Sequence, residues 1–173
     1  MQQIPQQKIS ARWVVTMSGE LLENGVVEIR QGRIIEVRSA RAGEDLLELG
    51  DVALLPGLVN THTHLEFSQL SEPIQAPSFT DWIRQLVSYR REQLATAEKR
   101  VAAICQGIAE SISSGVTTIG EIATDSECQQ AYADLPAPSI VMREVIGTAA
   151  ADEQDRLAMV QQFLGSVPAG AGW

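Results

Sequence analysis

The chain has only two histidines, His62 and His64, and they stand one residue apart at the end of the run Leu54–His64, LLPGLVNTHTH. Successive side chains of a strand point to opposite faces, so residues two apart share a face. On a strand the two imidazoles would stand side by side, with α-carbons roughly 6.6 Å apart at about 3.3 Å rise per residue. Each ring could then bring a nitrogen to about 2.1 Å from one shared metal ion. A divalent ion with an open position acidifies water and polarises a carbon–nitrogen bond, so this spacing points to metal-dependent hydrolysis. A solvated or core-satisfied pair is the plain alternative for an isolated His-x-His.

The surroundings of the pair narrow that choice. A Pro56-Gly57 turn launches a short apolar run, the histidines end it, and Leu65, Glu66, Phe67 and Ser68 follow. The segment PGLVNTHTHLEFS closely resembles the first barrel strand of the amidohydrolase superfamily, most of all its cytosine-deaminase and chlorohydrolase branch. Leu65-Glu66 after the second histidine is similar to the aminodeoxyfutalosine deaminase group within that branch. The resemblance implies that His62 and His64 ligate one divalent ion, zinc or iron. It also implies hydrolytic deamination of an amino-substituted heterocycle or nucleoside. Alternatives are another carbon–nitrogen or carbon–chlorine hydrolase of the superfamily, imidazolonepropionase-like or chlorohydrolase-like, or a non-catalytic truncated module.

By the same resemblance Glu66 would contact the amine or ring nitrogens of a substrate; a surface glutamate at a loop start is the alternative. Trp82 would stack on a planar ring, against the alternative of core packing at helical spacing. Glu121 is a weaker pocket candidate. Arg143 and Glu144 are expected on opposite faces of a strand, more as an ordinary ion pair than as substrate contacts. No catalytic residue is expected within the chain. Two further histidines, a proton-transferring Glu and a metal-binding Asp are expected in later segments.

Length sets the scale of what these residues can build. The chain has 173 residues, whereas a complete (β/α)8 barrel needs at least about 200 and typically about 250. The expectation is therefore an N-terminal part of a larger enzyme. Net charge is −9, from 22 acidic and 13 basic residues, with no basic patch, which argues against nucleic-acid binding by phosphate neutralisation. Cys105 and Cys128 lack CxxC spacing and read as reduced, partly buried thiols. No secretory signal is visible in MQQIPQQKIS, and no apolar run approaches the roughly 20 residues that span a bilayer. A cytoplasmic protein with a small-molecule substrate, and neither nucleic acid nor membrane as partner, is the default. Self-association of the complete protein, as a homo-oligomer, is left open.

The elements that must position the histidines fall into two groups, residues 1–52 and 53–173. Short β-rich runs at 9–18, 25–30 and 33–38, separated by Asn24-Gly25 and Gln31-Gly32 turns, predict part of a small β-sandwich. Residues 39–51 connect, with a short strand near Leu46–Leu49. From residue 53 the order strand, helix, strand, helix, strand, helix predicts parallel β/α units, hence an α/β fold: a partial (β/α)8 TIM-like barrel of about three units. A helix should begin at Thr80 or Asp81, with Trp82, Ile83, Leu86, Val87 and Leu94 on one stripe. A second should run from Thr96 to Ser113, with Val101, Ile104, Cys105, Ile108 and Ile112 inward and Gly115 as its C-cap. Val116–Ile119 and Ser139–Ile146 are the next strands. Ser126 with Gln129 predicts a short helix to Ala133. Asp152 should open the last helix and Gly165 stop it.

Overall fold

The computed structural model describes residues 6–124, 127–136, 138–145 and 153–166. The chain divides into two compact units, Met1–Pro56 and Gly57–Trp173.

The first unit is a five-stranded sheet. Strands β1 (Gln7–Val14), β2 (Leu22–Arg30) and β3 (Arg33–Ser39) run antiparallel in sequence, and β4 (Leu47–Glu48) and β5 (Ala53–Leu54) both lie parallel to β1. Gln31 and Gly32 join β2 to β3 with φ of 53° and 74°, the two left-handed positions of a type I′ hairpin. The expected Asn24-Gly25 turn does not separate strands. Asn24 takes up a φ of 51° inside β2, because Leu22 pairs with Val14 and Gly25 with Ala11 across it. An asparagine tolerates this conformation without ending a ladder. The described residues of this unit form one sheet rather than two facing layers, with Ala11, Val14 and Val27 at its core. Arg38 on β3 and Lys8 on β1 both bind Glu44, at 2.5 and 3.0 Å. This ties the segment after β3 back to the sheet. The Arg38 bond, helped by the Arg41 backbone N–H, holds the Glu44 carboxyl well below the ordinary range.

The second unit is built on a parallel three-stranded sheet in the order β6-β7-β8, formed by Leu58–Thr63, Val116–Ala123 and Ile140–Arg143. Helices α1 (Phe79–Glu92) and α2 (Ala97–Ser113) connect β6 to β7, and α3 (Glu153–Ser166) follows β8. This is a mixed α/β arrangement of parallel β/α units, with no closed barrel among the described residues. The expected third strand is shorter than predicted at its described end: Glu144 lies beyond it. Ile146, Ser126 and Asp152 fall outside the described residues.

Local chemistry explains the helix boundaries. Ser78, not Thr80 or Asp81, caps α1: its Oγ accepts the Asp81 N–H at 3.2 Å and donates to the Asp81 carboxylate at 2.7 Å. That reciprocal pair satisfies an N–H that the helix itself leaves unpartnered. Thr96 caps α2 in the same way through Lys99 N–H. No residue of α1 is buried, so Trp82, Ile83, Leu86 and Val87 of the predicted apolar stripe form no core face in the described structure, whereas Leu94, just beyond the helix, is buried. In α2 the inward stripe is rotated from the expected one: Arg100, Ala103, Ile104, Gly107 and Ile108 are buried, while Cys105 and Ile112 are exposed. Gly165 lies within α3 instead of stopping it.

The core of this unit is Leu65, Ile104, Ile108, Ile119, Cys128 and Ala131, so the turn after the histidines, helix α2 and strand β7 meet in one cluster. Gly107 faces that turn so closely that a β-carbon there would strike Ser68 and Leu65. Ile104 is 1% exposed. Deleting its branched chain leaves a cavity as well as losing transfer energy, so Ile104→Ala is expected to lower stability by about 2–5 kcal/mol. Urea unfolding followed by helical circular dichroism measures this, and a change below about 1 kcal/mol would contradict the assigned core.

Candidate functional site

His62 is the fifth residue of β6, and His64 follows its last. Barrel and α/β sites gather at the C-terminal ends of parallel strands, which is where both rings lie. His62 is exposed and His64 half-buried. Their ring centres are 5.5 Å apart, with planes tilted by 57°. Two imidazoles holding one ion at about 2.1 Å would have centres about 5.3 Å apart at a tetrahedral angle, so the observed spacing fits a shared ligand. His64 Nδ1 is buried and has no hydrogen-bond partner among the described residues, leaving a polar atom that a bound group or water would satisfy. Among the described residues no cluster of three or more His, Cys, Asp or Glu can hold a metal. Two of the four ligands a tetrahedral ion takes are the most this pair could supply.

Behind the histidines the chain makes a short 3-10 turn, Leu65–Phe67, and two glutamates close around it. Glu66 is 3% exposed, so it is not a surface glutamate. Arg90 Nε on α1 donates to its Oε2 at 3.0 Å, and the Thr124 hydroxyl donates to its Oε1 at 2.5 Å. Arg90 also donates to Thr124, at 3.0 Å, so the three side chains form a closed triangle. Glu121, near the end of β7, is buried under the same turn. Its two oxygens accept the Leu65 backbone N–H at 3.2 and 3.0 Å, and Tyr132 donates to Oε1 at 3.3 Å. Burial and the neighbouring negative charge of Glu121 raise the Tyr132 phenol, which keeps it a donor.

Trp82 is not drawn into this group. Its ring stacks on Phe79, centres 6.1 Å apart and nearly coplanar in orientation. Arg143 does not pair with Glu144; its Nη1 donates to the Ala123 carbonyl at 3.0 Å. Arg90, Thr124 and Tyr132 carry no local signal of their part here. They come from α1, the end of β7 and the 3-10 turn Gln129–Asp134, and only the two strand-end glutamates marked where such partners would gather.

Residues 53–162 match the sequence profile of the amidohydrolase family, and the chain belongs to that family. It is 35% identical over 98 residues to the aminodeoxyfutalosine deaminase of Nitratiruptor, covering 57% of this chain and 24% of that protein. It is 30% identical over 116 residues to the 5-methylthioadenosine/S-adenosylhomocysteine deaminase of Bacillus cereus, covering 63% and 26%. The chain thus spans about a quarter of the length of these curated relatives. The fold is similar to part of that of Helicobacter pylori aminofutalosine deaminase, with a TM-score of 0.75 at 22% identity, over 94% of this chain and 41% of the other. A zinc-bound adenosine deaminase from Xanthomonas campestris gives 0.59 at 24% identity, over 75% and 32%.

The buried carboxyl of Glu121 is pushed up to about 7 from an ordinary 4.5, first by burial, with Leu65 and Tyr132 opposing and Glu66 adding to it. The folded chain therefore holds this proton more tightly than the unfolded chain does. Its contribution to stability is complete below about 4.5 and is lost as pH rises through about 7, because ionising a buried acid costs free energy. Glu121→Gln, which cannot ionise, should gain stability relative to the parent between pH 4.5 and 7.5. Urea midpoints at several pH values measure the difference; one that stays flat would refute the shift.

Proposed function

We propose that these residues form the opening part of a metal-dependent amidohydrolase that removes an amino group hydrolytically from an aminated heterocycle or nucleoside. The observation that carries this reading is the His62–His64 pair at a strand end, 5.5 Å between ring centres, with a buried Nδ1 on His64 that has no partner among the described residues. Two relatives are named as deaminases of aminodeoxyfutalosine and of 5-methylthioadenosine/S-adenosylhomocysteine, which supports this reaction class. The zinc in the Xanthomonas structure supports zinc as the ion, with iron the other candidate. In this reading β6, β7 and β8 are the first three strands of a (β/α)8 barrel.

A divalent ion held by His62 and His64 would supply Lewis acidity and an acidified water. The chain's own residues bind and orient. His62, on the open side, and His64, on the buried side, offer two nitrogens from one strand face. Glu66, fixed by Arg90 and Thr124, is assigned to a substrate amine or ring nitrogen. Trp82 is assigned to stacking on a planar ring of the substrate. The remaining ligands and the proton-transferring Glu are assigned to segments beyond these residues.

Equilibrium dialysis of the chain against Zn2+ or Co2+ tests the metal half. Either His62→Ala or His64→Ala should weaken binding by at least about tenfold; unchanged affinity would overturn it. With two ligands the 173-residue chain alone is expected to release no ammonia from 5-methylthioadenosine, and enzyme-like turnover would contradict the division of the site proposed above. Within a complete barrel, ammonia release should be abolished by either histidine substitution.

A further inference from the structure

The 3-10 turn that follows His64 has no side-chain cap of its own, since His64 makes no capping bond. Its first N–H, that of Leu65, has no acceptor within the turn and would be buried without a partner but for one residue 56 positions away. Glu121 supplies that acceptor from β7, with both oxygens within 3.2 Å. The β6–β7 ladder allows this: past an irregularity between Asn60 and Thr63, Thr63 sits opposite Glu121. The carboxylate therefore reaches just past the end of β6. Tyr132 fixes the carboxylate in turn. The turn is closed on its other side by Phe67 N–H donating to the His64 carbonyl at 3.0 Å. His64, at φ −120° and ψ 84°, is thus pinned between a strand on one side and a peptide held by Glu121 on the other.

We propose that Glu121 is a positioning residue for His64: by holding the Leu65 N–H it sets the direction in which the second imidazole of the pair points. The functional consequence rests on His62 and His64 being metal ligands; the structural claim does not. The role is one of reach and hydrogen bonding, not of charge. Leu65 lies in the core beside Ile104 and Ile119, so a released N–H could not turn to solvent without carrying its side chain out of that cluster. The cheaper response is a rotation of the peptide, and that rotation is transmitted to His64.

Three substitutions in the full chain separate these possibilities. Glu121→Ala removes the acceptor. Glu121→Asp keeps the charge but is one methylene short of Leu65. Glu121→Gln keeps an acceptor oxygen at full reach without the charge. The first readout is imidazole NMR of the metal-free chain labelled with 15N-histidine; the two rings give two signal sets, assigned with His62→Ala. Ala and Asp should move the His64 signals more than those of His62, and Gln should bring them back. The second readout is Co2+ affinity, expected to be about tenfold weaker for Ala and Asp and within about threefold of the parent for Gln. Unmoved His64 signals in Ala and Asp, or a Gln variant as impaired as Ala, would overturn the proposal. Should Ala fail to fold, the order of the other two decides: Gln nearer the parent supports positioning, and Asp nearer the parent overturns it. A parent chain that binds no Co2+ refutes the metal reading of the pair, while the ring signals still decide the positioning role.

Discussion

A carboxyl group 1% exposed to solvent persists only where donors face it, and the donors around Glu121 organise the second unit. One is the backbone of the turn after His64; the other is the phenol of Tyr132. Because these come from different elements, the glutamate is a meeting point of β6, β7 and the 3-10 turn beyond β7. The parallel ladder supplies the register, the ladder's end supplies the turn, and the turn carries the histidine. Slip the β6–β7 pairing by one residue and the alternation of faces inverts, taking Glu121 away from Leu65.

Glu66 and Glu121 are adjacent buried acids with opposite solutions to the same problem. Glu66 faces a guanidinium and a hydroxyl, so its charge is compensated. Among the described residues Glu121 faces neutral donors, and burial, with the charge of Glu66 adding to it, lifts its proton affinity. In the first unit, by contrast, the part-buried bonds among Arg38, Lys8 and Glu44 lash a connecting segment to a sheet.

What could be read from the sequence was local. The two-residue spacing is enough to expect His62 and His64 side by side, and their ring centres lie 5.5 Å apart although His64 stands beyond the last residue of β6; β/α alternation is enough to expect parallel units. The Gln31-Gly32 turn follows from residues that accept positive φ. Asn24-Gly25 misled because the same tolerance lets a strand absorb the kink when pairing on both sides is strong. The α1 start was missed by two residues because Ser78 reaches Asp81, a bond invisible in the hydrophobic pattern. Arg100 and Gly107 replace Cys105 and Ile112 on the inward face of α2 because packing, not hydropathy, chose the angle of the helix. The partners of Glu66 and Glu121 lie 11 to 58 residues away, and no local pattern names them.

The close approach at Gly107 reaches further than helix packing. Helix α2 bears directly on Ser68 and Leu65, the same turn whose first peptide anchors His64, with no room for even a methyl group between them. Amino-acid changes on that helical face and in the turn are therefore not independent: bulk gained at 107 has to be surrendered at 65 or 68. A lineage drifting in this helix would leave a correlated trace beside the histidines while the imidazoles themselves stayed the same.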